Sequence, residues 1–230
     1  MPRRNDELAE RYEARREAAP LVVVVPIALI SLALVSWAEE WEVIGQVRWW
    51  IWIVLALPAF LLCVDLWLGA RKVGFASTRG AALVLSGVIV GGNLIGVAVL
   101  VSALVTAGGS DLSGGQLLMT TAVIWLTNTI VFGLWFWELD DGGPSERARK
   151  DRVTPDFRFP QDVNPDLAPD GWHPRVWDYL YLSVTNSSAF SPSDEMPLSV
   201  KAKVLMGTEA VLSLVLVVLV TARAVSALPS

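Results

Sequence analysis

The stretch WDYLYLSVTNSSAFSPSDEMPLSVKAKVLMGTEAVLSLVLVVLVTARAV, which runs from Trp177 to Val225, decides the fold of this chain. It begins with an aromatic run rich in hydroxyl side chains, continues through a short polar segment, and ends in an apolar segment, 198–227. That segment exceeds the roughly 20 helical residues that cross ~30 Å of hydrocarbon. Glu209 lies eight residues beyond Lys201, or ~12 Å along a helix, well toward the midplane of a bilayer. The stretch predicts a transmembrane helix that contains an acid.

Four further apolar segments lie upstream, at 19–38, 49–68, 80–106 and 116–139. The chain is 53% hydrophobic and only 18% charged, with a mean hydropathy of +0.50, so it is far more apolar than a soluble domain. The first segment follows a mostly charged arm and precedes no small-residue cleavage site, which favours a retained helix over a signal peptide. We therefore expect an all-α polytopic membrane protein with five transmembrane helices.

The C-terminal stretch resembles the pore half of a potassium channel with its ion filter replaced. In that family an aromatic pore helix leads into a TVGYGD filter, a turn with a proline, and an inner helix with a glutamate. Aligned without a gap, the pore helix falls on 181–188, the filter aspartate on Asp194, the turn proline on Pro197 and the inner-helix glutamate on Glu209. The five filter positions then read Ala189, Phe190, Ser191, Pro192 and Ser193.

The replaced filter limits what this resemblance implies. Potassium filters use backbone carbonyls as ligands, and their glycines reach dihedral angles that cost energy for other residues. Here no glycine is present, and Pro192 fixes its own backbone angle while restricting Ser191. We therefore expect the scaffold of a pore loop without potassium selectivity.

A second resemblance covers more of the chain. Four hydrophobic helices are followed by an FP pair (Phe159, Pro160), a DYLYLS run, a Ser193–Asp194 pair, a KAK step and a last helix. This order is similar to a bacterial family of uncharacterised five-helix inner-membrane proteins. The resemblance implies a fold and an inner-membrane location, but no activity. With it we divide the chain into a charged cytoplasmic helix (1–18), a four-helix transmembrane region (19–139), a linker rich in proline and aspartate (140–174) and the pore-loop-like helix with the final transmembrane helix (175–227).

Basic residues in the loops predict the orientation, since lysine and arginine collect on the cytoplasmic side. They concentrate in the N-terminal arm, in the loop after the second helix and in the linker. Of the alternate loops, the one after the first helix holds only Arg48, and the one after the third helix holds no lysine or arginine. The N-terminus is therefore expected in the cytoplasm. With five crossings, the pore-like segment then lies on the cytoplasmic side. It either re-enters the membrane or lies at the interface, and a sixth crossing by the run 176–190 is the weaker alternative because that run is short and polar.

The pore-like segment supplies the first group of candidate site residues. Their hydroxyl, amide and carboxylate oxygens are groups that bind an ion or a polar solute, here monovalent cations. If the channel resemblance extends to assembly, we expect a homo-oligomer, a tetramer by analogy with the channels. The candidates are Thr185, Asn186, Ser187, Ser188, Ser191, Ser193 and Asp194.

Polar residues inside the predicted helices form the second group: Glu209, Asn93, Asn128 and Asp65. An unpaired amide in hydrocarbon is costly, so an interhelical hydrogen bond is the simplest role for Asn93 and Asn128, and a polar lining for conduction is the alternative. Asp65 lies within reach of Arg71 and Lys72, which favours a structural pair. For Glu209 two roles stay open: packing, with Ser183 or a backbone carbonyl as the partner, or passage of ions or protons.

Catalytic chemistry is not indicated. The chain has one histidine, His173, and one cysteine, Cys63, so a metal cluster, a histidine-activated nucleophile and disulfides lack support. We therefore expect no enzyme and no cofactor. The net charge of −5 also gives no basic surface for a nucleic-acid partner. Two function classes remain: an oligomeric, weakly selective ion pore, and a non-conducting membrane scaffold or partner-binding protein that keeps the pore-loop fold.

The charge bias generates a prediction about topology. A reporter that is active only in the cytoplasm should be active when fused to the N-terminus and inactive when fused to the C-terminus, because five crossings place the two ends on opposite sides. Activity at the C-terminal fusion would overturn the five-crossing arrangement.

Overall fold

The computed structural model describes residues 2–41, 49–69, 79–105, 114–147, 155–164, 166, 168–169, 171–188 and 194–226. It is mostly helical, which confirms the all-α class. The helices are α1 (Pro2–Ala38), α2 (Trp50–Gly69), α3 (Arg79–Val105), α4 (Gly114–Leu139), α5 (Pro144–Arg147), α6 (Pro160–Val163), α7 (Val176–Ser188) and α8 (Val200–Ser226). A 3-10 turn spans Asp140–Gly142, and two short strands, β1 (Phe157–Arg158) and β2 (Met196–Pro197), complete the elements.

Two helical segments within the described residues are long and apolar enough to cross a membrane. They are Arg16–Ala38, with 23 residues, and Gly115–Gly142, with 28 residues. Shorter apolar helical segments cover Trp50–Val64 and Gly87–Ala98. These lengths support association with a membrane, while the number of crossings and their direction stay predictions.

Helix α4 is the centre of the bundle. It packs against α1, α3, α7 and α8, and every residue from 127 to 134 is buried. A helix that is covered on all sides has no polar face to turn toward solvent. Polar side chains in this part of α4 must therefore find partners within the protein, either on α4 itself, as Thr127 does at the carbonyl oxygen of Val123, or on the neighbouring helices.

Helix α7 runs antiparallel to α4 along one half of its length. The Tyr179 hydroxyl donates to Asp140 at the C-terminal end of α4, and the Ser183 hydroxyl lies 2.6 Å from the carbonyl oxygen of Thr129, eleven residues before Asp140. The chain is back at the same end of α4 where α8 begins, because Lys201 Nζ donates to the carbonyl oxygen of Leu139 at 2.9 Å. Both ends of the segment 179–201 thus lie at one end of α4.

The linker closes this end of the bundle. Strand β1 pairs antiparallel with β2, with Phe157 opposite Pro197. The buried Asp140 carboxylate accepts hydrogen bonds from the backbone nitrogens of Asp156 at 2.6 Å and Phe157 at 3.2 Å, in addition to the Tyr179 hydroxyl. Rings pack around these bonds, with centroids 5.1 Å apart for Phe159 and Tyr179. The sequence predicts a connector here but not this strand pair.

The backbones of α4 and α7 meet at Gly133. A Cβ atom added there would lie 3.1 Å from the Cα of Leu180 and 3.3 Å from the carbonyl oxygen of Tyr179. Small residues allow this kind of close approach between helices in lipid. By contrast, a Cβ atom added to Gly91 on α3 would meet nothing within 4 Å.

This contact generates a matched pair of predictions. Gly133→Ala should lower the midpoint of thermal unfolding in detergent, since backbone atoms of α7 would have to shift, at a cost of about 1–3 kcal/mol. Gly91→Ala should leave the midpoint unchanged or raise it, because alanine favours the helix by up to about 1 kcal/mol and has open space. Equal midpoints for the two variants would contradict the close approach.

Candidate functional site around Glu209

Glu209 is fully buried on the face of α8 that meets α4 and α7. Residues at helical spacing on this face are buried as well, namely Ala202, Leu212, Ser213 and Leu216. Side chains three, four and seven positions apart share one face of a helix, so the pattern of small and apolar residues turns Glu209 inward.

Two side chains of α7 contact the carboxyl group. Ser183 is hydrogen bonded to Glu209 Oε1, and Asn186 Nδ2 donates to Oε2 at 2.7 Å. The same Asn186 nitrogen also donates to the carbonyl oxygen of Met206 at 3.0 Å. Because Ser183 and Asn186 are one helical turn apart, they reach α8 from one face of α7.

Helix α4 completes this group through Thr129. Its carbonyl oxygen lies 2.6 Å from Ser183 Oγ, and its hydroxyl lies 3.1 Å from the hydroxyl of Ser187. Thr129 Oγ1 also donates to the carbonyl oxygen of Trp125 at 2.9 Å. We call Thr129, Ser183, Asn186, Ser187 and Glu209 the Glu209 cluster; it ties α4, α7 and α8 together.

The number of protons matters for the Ser183 contacts. A serine hydroxyl carries one hydrogen, while a carbonyl oxygen and an ionised carboxylate only accept. Ser183 therefore cannot donate to both Thr129 and an ionised Glu209. Both contacts become hydrogen bonds when the Glu209 carboxyl is a neutral acid that donates to Ser183, which in turn donates to Thr129. An amide at position 209 would reproduce this arrangement.

The pore-loop candidates on α7 point to different partners. Asn186 and Ser187 belong to the Glu209 cluster, whereas Thr185 bonds the α7 carbonyl of Tyr181 at 2.9 Å and Ser188 bonds that of Val184. Asp194 is exposed, and Ser191 and Ser193 lie outside the described residues. The described hydroxyls of α7 thus bond to the protein and do not converge on a shared ligand position.

The intramembrane candidates have mixed outcomes. Glu209 has the Ser183 partner that the sequence suggested, so this expectation is confirmed. Asn93 and Asn128 are buried, but Asn93 Nδ2 and both amide atoms of Asn128 have no hydrogen-bond partner among the described residues. For these atoms the described residues show no hydrogen bond between helices, and their role stays a prediction. The side chain of Asp65 lies outside the part of the chain that the structure describes, as do Arg71 and Lys72.

Sequence reasoning missed two members of this region. Thr129 has no motif that marks it, because its role depends on which turn of α4 faces Ser183. Asp140 directly follows the apolar segment of α4, in the DDGG run that indicates a turn, yet it is fully buried and bonds Tyr179. A carboxylate directly after a long apolar helix was the available signal.

Arg147 of α5 also contacts the C-terminal end of α4. Its guanidinium is buried and donates Nη1 to the carbonyl oxygens of Trp137 and Asp140, each at 2.7 Å. The guanidinium carbon lies 5.0 Å from the ring centre of Tyr179, which is within the range of a cation–π contact. Arg147 and Asp140 together hold the first turn of α7 against the end of α4.

Comparison of the chain with protein-family models, with curated proteins and with solved structures finds no match. The resemblances of the C-terminal stretch therefore stay expectations.

The Glu209 cluster generates a prediction about stability. Glu209→Gln should keep the thermal midpoint and the size in detergent, since the amide donates to Ser183 and accepts from Asn186. Glu209→Leu should lower the midpoint, because Ser183 and Asn186 would each lose a buried partner at about 1–3 kcal/mol. The measurement is thermal unfolding in detergent combined with size-exclusion chromatography.

The matched control lies on the opposite face of α8. Val211 is 61% exposed, so Val211→Leu should behave as the wild type. If Glu209→Leu had the same midpoint of thermal unfolding as the wild type, the cluster would contribute nothing to stability.

Proposed function

We propose that the chain is a five-crossing protein of the bacterial inner membrane whose pore-loop-like helix serves packing, so that the protein is a non-conducting scaffold or partner-binding protein. The observation that carries this proposal is the use of the polar side chains of α7. Ser183, Asn186 and Ser187 bond α4 or α8 of the same chain. With no glycine filter in the sequence, a shared axial pathway would have to be lined by these hydroxyl and amide side chains, and they would then need to be free for the permeating ion.

Exposed apolar side chains support the five crossings. Helices α2, α3 and α8 each expose large hydrophobic side chains that a soluble protein would bury. They include Ile53, Val54, Leu57 and Phe60 on α2, Val84, Val88 and Ile95 on α3, and Val204, Val211, Leu214 and Val218 on α8. Lipid is the environment that suits such surfaces. With the cytoplasmic bias of the basic residues, this favours an N-terminus in the cytoplasm.

The path of 179–201 supports a re-entrant helix over a sixth crossing. Tyr179 and Lys201 both reach the C-terminal end of α4, whereas Ser183 reaches Thr129 deeper in the bundle. A segment that enters and leaves at one end of a helix does not cross the membrane. On this topology it enters from the cytoplasmic side.

Passage of ions or protons is the second candidate function. It is favoured by the buried Glu209 carboxyl together with the unpartnered amides of Asn93 and Asn128, since ionisable and polar groups inside a bilayer mark pathways in many transporters. A weakly selective homo-oligomer that passes monovalent cations, tetrameric if the channel resemblance extends to assembly, belongs to this candidate.

Flux through reconstituted liposomes separates the two functions. The scaffold proposal expects potassium, sodium and proton flux no higher than in empty liposomes. Flux above that level that is lost in Glu209→Gln, a variant expected to fold, would overturn the scaffold proposal in favour of passage. If flux occurs, potassium should not be strongly preferred over sodium, because Ser191, Pro192 and Ser193 cannot form a glycine filter.

A further inference from the structure

Several buried polar side chains have atoms without hydrogen-bond partners among the described residues, and three of them lie on three helices of the central bundle. These three are Asn93 Nδ2 on α3, Asn128 Nδ2 and Oδ1 on α4, and Ser213 Oγ on α8. Their residues are 2%, 1% and 1% exposed. Each such group costs roughly 1–3 kcal/mol when buried without a partner, so a shared partner would offset the cost of all three.

The packing register brings the two asparagines together. A Cβ atom added to Gly96 on α3 would lie 3.3 Å from Cδ1 of Ile124 on α4. Asn93 lies one turn before Gly96, and Asn128 lies one turn after Ile124, each on the same face as its neighbour. Because α3 and α4 run in opposite directions, Asn93 and Asn128 lie at the same height along the bundle, one turn from the contact between Gly96 and Ile124.

Helix α8 reaches that level with Ser213. It runs antiparallel to α4, because Lys201 contacts the carbonyl oxygen of Leu139 at one end and Glu209 shares Ser183 with Thr129 further along. Val97, Ile124 and Leu216, of α3, α4 and α8, lie in one hydrophobic cluster to which α1 and α2 also contribute. One turn from these three residues, in the same direction along the bundle, the three helices place Asn93, Asn128 and Ser213. The next turn of α8 carries Glu209. The three unpartnered groups thus lie between an apolar cluster and the Glu209 cluster.

We propose that Asn93, Asn128 and Ser213 form a binding site for water, or for a neutral hydrogen-bonding molecule of about that size. The site presents two amide nitrogens that donate, one amide oxygen that accepts and one hydroxyl that does both. A ligand that both donates and accepts satisfies this set, and two to four polar partners are what a buried water molecule has in proteins.

A monovalent cation fits this set less well. It would take the oxygens of the two amides and of Ser213, and both amide nitrogens would then lack acceptors. The carboxyl group of Glu209, one turn away on α8, has its two oxygens bonded to Ser183 and Asn186, so a cation that used it would have to compete with these bonds. This site is independent of whether the protein conducts.

Substitutions in the intact protein test the site through the midpoint of thermal unfolding in detergent. With a bound molecule, Asn128→Leu should lower the midpoint by roughly 2–4 °C, because the molecule and its other partners lose bonds. If the three groups are instead unpaired, Asn128→Leu should raise the midpoint, since an uncompensated amide is removed. A raised midpoint would overturn the proposal.

Coupling between sites distinguishes a shared molecule from a direct bond between the two asparagines. A shared molecule predicts that Asn128→Leu and Ser213→Ala together lower the midpoint by less than the sum of the single shifts. Additive shifts would overturn the shared site. Thr121→Val is the matched control, since Thr121 on α4 bonds the carbonyl oxygen of Leu117 at 2.7 Å, and its effect should add to that of Asn128→Leu.

Two further measurements identify the ligand. The midpoint should be the same in sodium, potassium and N-methylglucamine chloride, and a rise confined to one metal cation would overturn a neutral ligand. An experimental structure at high resolution should show density about 2.7–3.2 Å from polar atoms of all three side chains. Direct contact between Asn93 and Asn128 without such density would also refute the site.

Discussion

A polar atom buried away from water must find its partner within the protein, and this constraint organises the C-terminal half of the chain. A buried group without a partner costs roughly 1–3 kcal/mol. Helix α4 carries Thr129 where it is buried on every side, and α8 carries Glu209 under the same condition. Ser183 of α7 contacts both residues. This pair of contacts, together with the buried Val176 and Leu182, positions α7.

Three kinds of contact hold α7, and they are spread along its length. Its first turns are fixed by the Tyr179 bond to Asp140 and by the close approach of Gly133 to Tyr179 and Leu180, and its middle and last turns by the Glu209 cluster. Each acts on a different part of α4 or α8, so the loss of one leaves the other two in place. Directional bonds along α7 and a missing Cβ atom near its first turn define one register, because a shift by one residue would break all three.

Hydrophobic segment length predicted the long helices well. The segments at 49–68, 80–106, 116–139 and 198–227 correspond to α2, α3, α4 and α8 with ends that differ by at most two residues. A segment's ends are marked locally by charged, glycine or proline residues, which a sequence displays directly. The charged helix at 1–18 and the apolar segment at 19–38 were expected as separate parts, but they form one continuous helix, α1, from Pro2 to Ala38.

The partners of polar residues were harder to predict, because they depend on the register between helices. Ser183 was a correct partner for Glu209 since the channel resemblance already placed the pore helix beside the inner helix. No such guide existed for Thr129, Asn93 or Asn128. Periodicity shows which face of a helix is apolar, but it does not show which turn of the next helix lies opposite. The strand pair β1–β2 was missed for a different reason: two residues on each strand are too few to show an alternating pattern.

The replaced filter and the inward-facing α7 are consistent with each other. In the potassium channels that this stretch resembles, backbone carbonyls of the loop after the pore helix coordinate the ion. The segment 189–193 lacks the glycines of that filter, so we expect the helix before it to take its stabilisation from elsewhere. Asn186 bonding to Glu209 and to the Met206 carbonyl supplies it from α8, while Thr129 supplies it from α4. Side chains that make these bonds are not free to face a pathway shared between subunits. The bonds that stabilise the fold therefore argue against conduction along an axis between subunits. A pathway through a single chain would instead have to pass Glu209 and the Asn93, Asn128 and Ser213 site, where the polar atoms lie within one bundle.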